Sequence, residues 1–311
     1  MRVNPVPFIF LERMRFMLQQ SLREFLLRLH YVMPVPINRF WPLLMTFQHT
    51  EEISVQQLTK FLKITTPKAT QLQKFLQEHQ NFSFSSYYKE QGIEPITFFD
   101  ANYPENLRQI YDPPSVIYAK GKLDILQNQR KIAVVGSRKA SKYSKDVLEH
   151  LLPSLVNEEF VVVSGLAKGA DKMAHDVTMK LGGATIGVLG YGFQHIYPRE
   201  HGDLMKEMSQ TQLLISEYPP YMGPKKWQFP MRNRLISGIS WGILVTEAQK
   251  KSGTLSTVDY GLDHGRMIFV IPGNILSPLS ELPHKLASEG ATLVWNGSQI
   301  LEEMAGFLFL K

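Results

Sequence analysis

No other part of this chain narrows its possible folds as much as Lys131 to His175, KIAVVGSRKASKYSKDVLEHLLPSLVNEEFVVVSGLAKGADKMAH. Ile132 to Val135 is a short apolar run that ends at Gly136, and Phe160 to Val163 is a second that ends at Ser164-Gly165. A helix-capable segment follows each. The tandem predicts a parallel βαβα unit, whose ligands sit in the crevice beyond the carboxyl ends of the strands, where N–H groups at helix starts favour an anion. Gly136, Gly165 and Gly169 let the chain turn tightly and let a ligand approach the backbone. Ser137, Arg138, Ser164 and Lys168 add hydroxyls and positive charge. Glycines after strands are also plain turn chemistry in any open parallel sheet. Two successive loops that are both polar and basic favour phosphate binding over turn geometry alone.

The rhythm continues downstream. Ala184 to Leu189, Leu213 to Ser216, Gly242 to Thr246 and Met267 to Ile271 read as further strands, mostly separated by helical segments. Ala291 to Val294 reads as an edge strand and Ser298 to Met304 as a closing helix. The expected class is therefore α/β, with a parallel-sheet domain over residues 131–311. Upstream, apolar residues recur at helical spacing: Leu22, Phe25, Leu26 and Leu29, then Phe40, Leu43, Leu44 and Phe47, then Leu58, Phe61 and Leu62. That predicts a small helical domain over residues 18–80. Ile64-Thr65-Thr66-Pro67 predicts a turn with a capping Thr before Pro67, opening a helix with Leu72, Phe75 and Leu76. Two short helices about a tight turn fit a helix-turn-helix or sterile-alpha-motif-like unit. They fit a plain structural bundle equally well, because the second helix carries few basic residues.

Residues 81–130 shift to Ser, Tyr, Asp and Pro, with strand-like runs at Ile96 to Phe99 and Ser115 to Tyr118, and read as a connector packing on the large domain. Tyr103-Pro104 and Asp112-Pro113-Pro114 are rigid turns that fix the entry into the first core strand. At the start of the chain Pro5, Pro7, Glu12 and Arg13 interrupt the apolar run, which argues against a signal peptide. The residues before Met14 and Met17 read either as a poorly ordered extension ahead of the first helix or as an artefact of start-site choice.

With 311 residues, 44% of them hydrophobic, the chain has core enough for one large domain and a smaller one. The excess of 34 Lys+Arg over 28 Asp+Glu, a net +6, suits a polyanionic partner without proving one. The absence of Cys excludes disulfides, thiol catalysis and Cys-ligated zinc and fits a reducing cytoplasm. No run approaches the roughly 20 apolar residues that span a bilayer.

The loop after the third core strand, Gly190-Tyr191-Gly192, leads to Tyr197-Pro198-Arg199, an aromatic beside a cation. His195 stands where a dinucleotide fingerprint needs its last Gly, and no Walker A sequence occurs, so neither an NAD or FAD cofactor nor an ATP-driven motor is expected. No metal site is expected either. In Lys225-Lys226-Trp227-Gln228-Phe229-Pro230-Met231-Arg232-Asn233-Arg234, cations for phosphates bracket aromatic faces for unpaired bases, the combination that single-stranded nucleic acid needs. The alternative is that Phe229 and Pro230 cap a helix while Arg232 and Arg234 pair with Glu217 and Glu247. Ser252-Gly253 at a helix start offers another phosphate site or an ordinary N-cap.

The collinear stretches YPENLRQIYDPPSVIYAKG, VVGSR, VVSGLAKGADKMAH, IYPRE, SEYPP, FPMRNRLISG, EAQKKSGTL, VIPGN and SEGATLV, from about Tyr103 to Val294, resemble the DprA/Smf family of bacterial DNA-processing proteins. The resemblance implies an extended Rossmann-like domain that binds single-stranded DNA, forms a homodimer and brings the RecA recombinase onto incoming strands in natural transformation, without enzymatic activity. By motif match, Arg138 and Arg199 fall at phosphate-contacting positions, and the loops with Ser164, Gly165, Lys168 and Gly169, with Lys226, Phe229, Arg232, Asn233 and Arg234, and with Ser252 and Gly253 line the same pocket. His201 replaces the family's usual Asn, and Ala170 replaces an Ile. Because the chain ends at Lys311, the winged-helix domain that many members carry is expected to be absent.

A rival class is the nucleotide-cleaving phosphoribohydrolases of the lysine-decarboxylase-like group. Their catalytic Glu follows a Gly-Thr loop, whereas here Leu255, Ser256 and Thr257 follow Gly253-Thr254, leaving Glu247 and Asp171 as the remaining acids. A structural adaptor to recombination proteins is a third class. Self-association is expected through the end of the large domain, where His284, Leu286 and Leu293, with Leu282, Ala287 and Val294, supply apolar surface around the edge strand. The competing arrangement packs Leu286 and Leu293 inward, with Phe307-Leu308-Phe309 shielding the edge.

Overall fold

A computed structural model of the chain describes residues 19–45 and 53–308. The expectations placed on the residues before Met17, on Phe47 and on Phe307-Leu308-Phe309 as a shield lie outside the described residues and side chains. The chain divides into two compact units. The first runs to Tyr103 and takes in residues 110–118 and 217–219, and the second holds residues 104–109, 119–216 and 220 onward.

In the first unit, α1 (Gln19–Val32), α2 (Val55–Leu62), α3 (Thr66–Glu78) and α4 (Phe84–Glu90) precede β1 (Glu94–Thr97) and the opening residues of β2 (Val116–Gly121). Ser54 and Gln57 form a reciprocal capping box that starts α2, and Lys63 at φ 51° ends it in the left-handed conformation. The tight turn into α3 is present, but its N-cap is Thr65, which makes no side-chain cap bond, and Pro67 is the second helical residue. The helix therefore opens one residue before the position expected from a capping Thr next to Pro67. Segment 84–97, expected in a connector, supplies elements of this unit. The reason is aromatic packing: Phe84 lies against Tyr31 and Phe75, and Tyr88 against Tyr118, whose hydroxyl also meets His30 Nδ1 at 3.0 Å. Tyr103 donates to the Pro114 carbonyl at 2.8 Å and ties the two proline turns together.

The second unit continues with β3 (Lys131–Val135), α5 (Lys142–Asn157), β4 (Val161–Ser164), α6 (Ala170–Lys180), β5 (Thr185–Leu189), α7 (Gly202–Thr211) and β6 (Leu213–Ser216). It closes with α8 (Gln228–Ile239), β7 (Gly242–Val245), α9 (Gly253–Asp263), β8 (Met267–Val270), α10 (Glu281–Ser288), β9 (Thr292–Leu293) and α11 (Gly297–Leu308). The strands lie in the order β6-β5-β4-β3-β7-β8-β9, and every pairing is parallel. This is the expected parallel α/β sheet. From β3 the chain steps outward through β4, β5 and β6, then crosses back to β7 on the other side, so the carboxyl ends of β3 and its neighbours mark a topological switch.

Strands β3 to β7 are buried along their whole length, as a sheet covered on both faces requires. Their continuous apolar runs follow from that. On one face Ile132, Val134 and Val162 meet Leu148, Leu151, Leu152 and Leu155 of α5. Those four leucines recur at helical spacing, so burying one stripe fixes how α5 lies on the sheet. A second cluster gathers Leu166, Leu189, Tyr191, Leu204, Met205, Met208 and Leu214 beneath the loops that follow β4 and β5.

Candidate functional site

The loop after β3 is held from behind. Ser137 N donates to the Glu247 carbonyl at 2.5 Å, and the Ser137 hydroxyl accepts from Lys139 N at 3.0 Å. The Glu247 carboxylate takes Ser141 N at 2.6 Å, Ser141 Oγ at 2.9 Å and Ser144 Oγ at 2.9 Å, an anion seated at the N-terminus of α5. With its neighbours fixed, Arg138 projects to solvent.

The loop after β4 is more tightly specified. Asp171, 7% exposed at the first turn of α6, accepts from Gly165 N at 3.1 Å and Ala167 N at 3.3 Å. Burial pushes its carboxyl above the usual range, opposed by the Arg232 guanidinium and these N–H groups. Leu166 at φ 54° and Gly169 at φ 73° put two left-handed residues into one short loop. A non-glycine residue there is held by its surroundings, here the buried Leu166 side chain and a bond from His201 Nδ1–H to the Leu166 carbonyl at 3.0 Å. A β-carbon on Gly169 would lie 2.3 Å from the Ser137 carbonyl oxygen, so the loops after β3 and β4 touch only because that position is Gly.

The loop after β5 is built on Tyr191. Its hydroxyl donates to the Tyr197 carbonyl at 2.6 Å and accepts from Tyr197 N at 3.0 Å, which presents the cis Tyr197–Pro198 peptide. Phe229, in the first turn of α8, sets its ring 5.3 Å from that of Tyr197. Arg138, Gly165 to Lys168, Tyr197, Phe229 and Arg232 line a cavity of about 70 Å³, room for a phosphate group. Lys168 forms an ion pair with Glu200 at its rim, both half-exposed, and Arg199 stands exposed beside them.

The structure thus brings together Arg138, Gly165, Lys168, Phe229 and Arg232, framed by Gly136, Ser137 and Gly169. It corrects other expectations. Ser164 is fully buried and donates to the Val134 carbonyl at 2.6 Å, so its hydroxyl fastens two strands and does not reach a ligand. Arg234 is 1% exposed, an interior group and not a rim cation. Arg232 forms the floor, donating to the Gly165 carbonyl at 2.5 Å and to the Val188 carbonyl. Glu247 is not its partner, since that carboxylate caps α5. Lys226 is exposed at the approach to α8, with Trp227 53% exposed next to it. Asn233 points to the neighbouring helix start, bonding Ser256 Oγ at 2.7 Å and the Gly253 carbonyl at 3.4 Å, so it groups with Ser252 and Gly253 outside the cavity. At the chain's far end Leu286 is buried, His284 is partly buried and Leu293 is 40% exposed.

Tyr191 and Asp171 organise the site in roles that the sequence does not assign them: Asp171 stands there only as a candidate acid and Tyr191 only as part of a loop. An acidic residue two positions after a Gly that opens a helix was the available signal for Asp171. Among the described residues no cluster of His, Asp and Glu could hold a metal ion, and no helix is long and apolar enough to cross a membrane.

Residues 94–305 match the sequence profile of the family described as DNA recombination-mediator protein A. The chain is 45% identical to DNA processing protein DprA of Bacillus subtilis over 217 residues, 70% of this chain and 73% of that one. It is 42% identical to the Streptococcus pneumoniae DprA over 213 residues, 68% and 75% of the two chains. The X-ray structure of DprA from Streptococcus pneumoniae superposes with a TM-score of 0.78 at 34% identity, covering 89% of this chain and 95% of that one. A structure reported for the single-stranded DNA binding mode of DNA processing protein A from Helicobacter pylori superposes with a TM-score of 0.62 at 26% identity, covering 69% and 96%. A family profile spanning the whole parallel sheet, relatives matched over most of their own length and the same fold in solved structures lead to one statement: this chain belongs to the DNA recombination-mediator protein A family, the DprA/Smf proteins.

Proposed function

We propose that this protein binds single-stranded DNA through the loop cavity at the carboxyl ends of β3, β4 and β5, holding phosphates with Arg138, Lys168 and Arg199 and unpaired bases on Tyr197 and Phe229. The observation that carries this reading is the Tyr197–Phe229 ring pair at 5.3 Å in a cavity also lined by Arg138 and Lys168. Cations for the backbone and aromatic faces for bases are what a strand without a partner requires. The Helicobacter pylori relative, described as a single-stranded DNA binder, supports it. In the same proposal the protein acts as a cytoplasmic homodimer in DNA uptake, protecting incoming strands and loading the RecA recombinase onto them. Catalysis plays no part. Asp171 and Glu247 are spent on holding backbone N–H and hydroxyl groups, and Thr257 stands where the phosphoribohydrolase motif needs its Glu.

A salt titration with single-stranded and duplex oligonucleotides of equal length tests the reading. Single strands bind more tightly at physiological salt, and log K falls linearly with log salt, at about 0.7 per phosphate contacted. Equal affinity for the two forms defeats it.

A further inference from the structure

A second cleft, of about 230 Å³, opens on the same edge of the sheet. One face of α5 supplies Tyr143, Asp146 and His150, Pro272 follows β8, and Trp295 follows β9. We propose that this cleft is a second nucleobase subsite, which receives a later nucleotide of the same single strand held in the loop cavity. The proposal rests on the strand-binding reading above.

The first argument is position. The loops after β4, β3, β7 and β8 stand in that order along the carboxyl edge, with β9 beyond. Neighbouring strands are about 4.8 Å apart, so the cleft lies roughly 14 to 19 Å from the loop that floors the first cavity. An extended strand covers that in a few nucleotides. The second argument is charge. Lys139, Lys142 and Lys145 at the start of α5, and Lys250 and Lys251 after β7, are all exposed on the intervening segments. Lys142 meets Asp146 at 3.6 Å, but with both side chains mostly exposed that pair contributes little and yields readily to a phosphate. Five exposed lysines on the segments between the two cavities suit a polyanion that runs from one to the other.

The third argument is preorganisation. Tyr143 is 41% and Trp295 58% exposed, and both line the cleft. The Tyr143 hydroxyl donates to the Pro272 carbonyl at 2.5 Å, and the Trp295 backbone N–H donates to Gln299 Oε1 at 2.9 Å. Two aromatic faces recur here as in the first cavity, and the anchored Tyr143 ring loses little freedom when a base docks.

Oligothymidines of about 5 and about 15 nucleotides, lengths within the range of known single-strand sites, separate the two cavities. Wild-type protein gains at least about fivefold in affinity from the shorter to the longer, the lower bound for stacking one base. That gain disappears in Trp295→Ala and returns in Trp295→Phe, which keeps an aromatic face. Retention of the gain in Trp295→Ala overturns the proposal. So does a loss that light scattering on the same samples traces to loss of self-association. Failure of the wild type to bind either oligonucleotide, or indifference of both to Arg138→Ala, refutes the strand-binding reading itself.

Discussion

Arg232 and Gly165 occupy one another's space: the guanidinium donates to the Gly165 carbonyl at 2.5 Å, and a β-carbon on Gly165 would lie 2.5 Å from the same group. The floor of the cavity is thus a buried cation fitted against bare backbone, with Asp171 gripping the other side of the loop. Even one methyl group must displace the arginine. Gly165→Ala is expected to lower stability by about 1 to 3 kcal/mol, the usual cost of overpacking, and to weaken strand binding as the loop shifts. Gly253→Ala is the control, because a β-carbon there meets nothing within 4 Å, and its stability stays within about 0.5 kcal/mol of wild type. Urea unfolding of the two variants provides the comparison, and equal stability of both contradicts the packing argument.

Arg138 is exposed on the cavity wall, so its contribution is to phosphate and not to base identity. Arg138→Ala should weaken binding to homopolymers of every base by a similar factor and reduce the salt slope by about 0.7. A variant with altered base preference and an unchanged slope would mean that Arg138 reads bases.

The pH dependence of stability has a definite sign. Burial lowers both His30 and His175 to about 3 from the ordinary 6.5. Between those values the unfolded chain binds protons that the folded protein refuses. Their contribution is therefore whole above about pH 6.5 and is lost as pH falls toward 3, by up to about 1.4 kcal/mol per pH unit for each histidine. Asp171, raised by burial, acts in the opposite sense, because its neutral form is the one favoured in the fold. Urea unfolding at pH 7 and pH 5 should show the lower stability at pH 5, and His175→Gln should reduce the difference. Stability that is flat over this interval would place these imidazoles in contact with water.

The strands were legible in the sequence because burial on both faces leaves a continuous apolar run with nothing to interrupt it, as in Ile132 to Val135. Their ends were less so. Phe160, Thr246 and Ile271 continue the apolar or β-branched pattern yet lie just outside the strands, since pairing and not hydropathy sets a strand end. The site divides in the same way. Gly165, Arg138 and Phe229 announce themselves by type and place, but the direction of a cation does not. In α8 every residue from Arg234 to Ile239 is buried, and Arg232 with them, so no polar face remains whose periodicity could separate an interior arginine from a rim arginine. Ser164 shows the same limit, because a hydroxyl at a strand end looks alike whether it meets a ligand or the neighbouring strand.

The edge strand carries the last prediction. Among the described residues β9 pairs with β8 alone, and Leu293 on it is 40% exposed. An open edge with apolar side chains invites pairing with another chain, and a two-fold axis lets one patch cover its own copy. Leu282, Leu286 and Val294 are buried within the protomer, so the burden of self-association falls on Leu293. Leu293→Arg is expected to give a folded monomer in light scattering, with a melting temperature close to wild type, because a substitution at so exposed a position removes little internal packing. Cooperative binding along a long single strand should weaken with it, as neighbouring protomers lose their contact. A Leu293→Arg protein that keeps the mass of the wild type, or a wild type already monomeric at micromolar concentration, excludes this edge as the dimer contact.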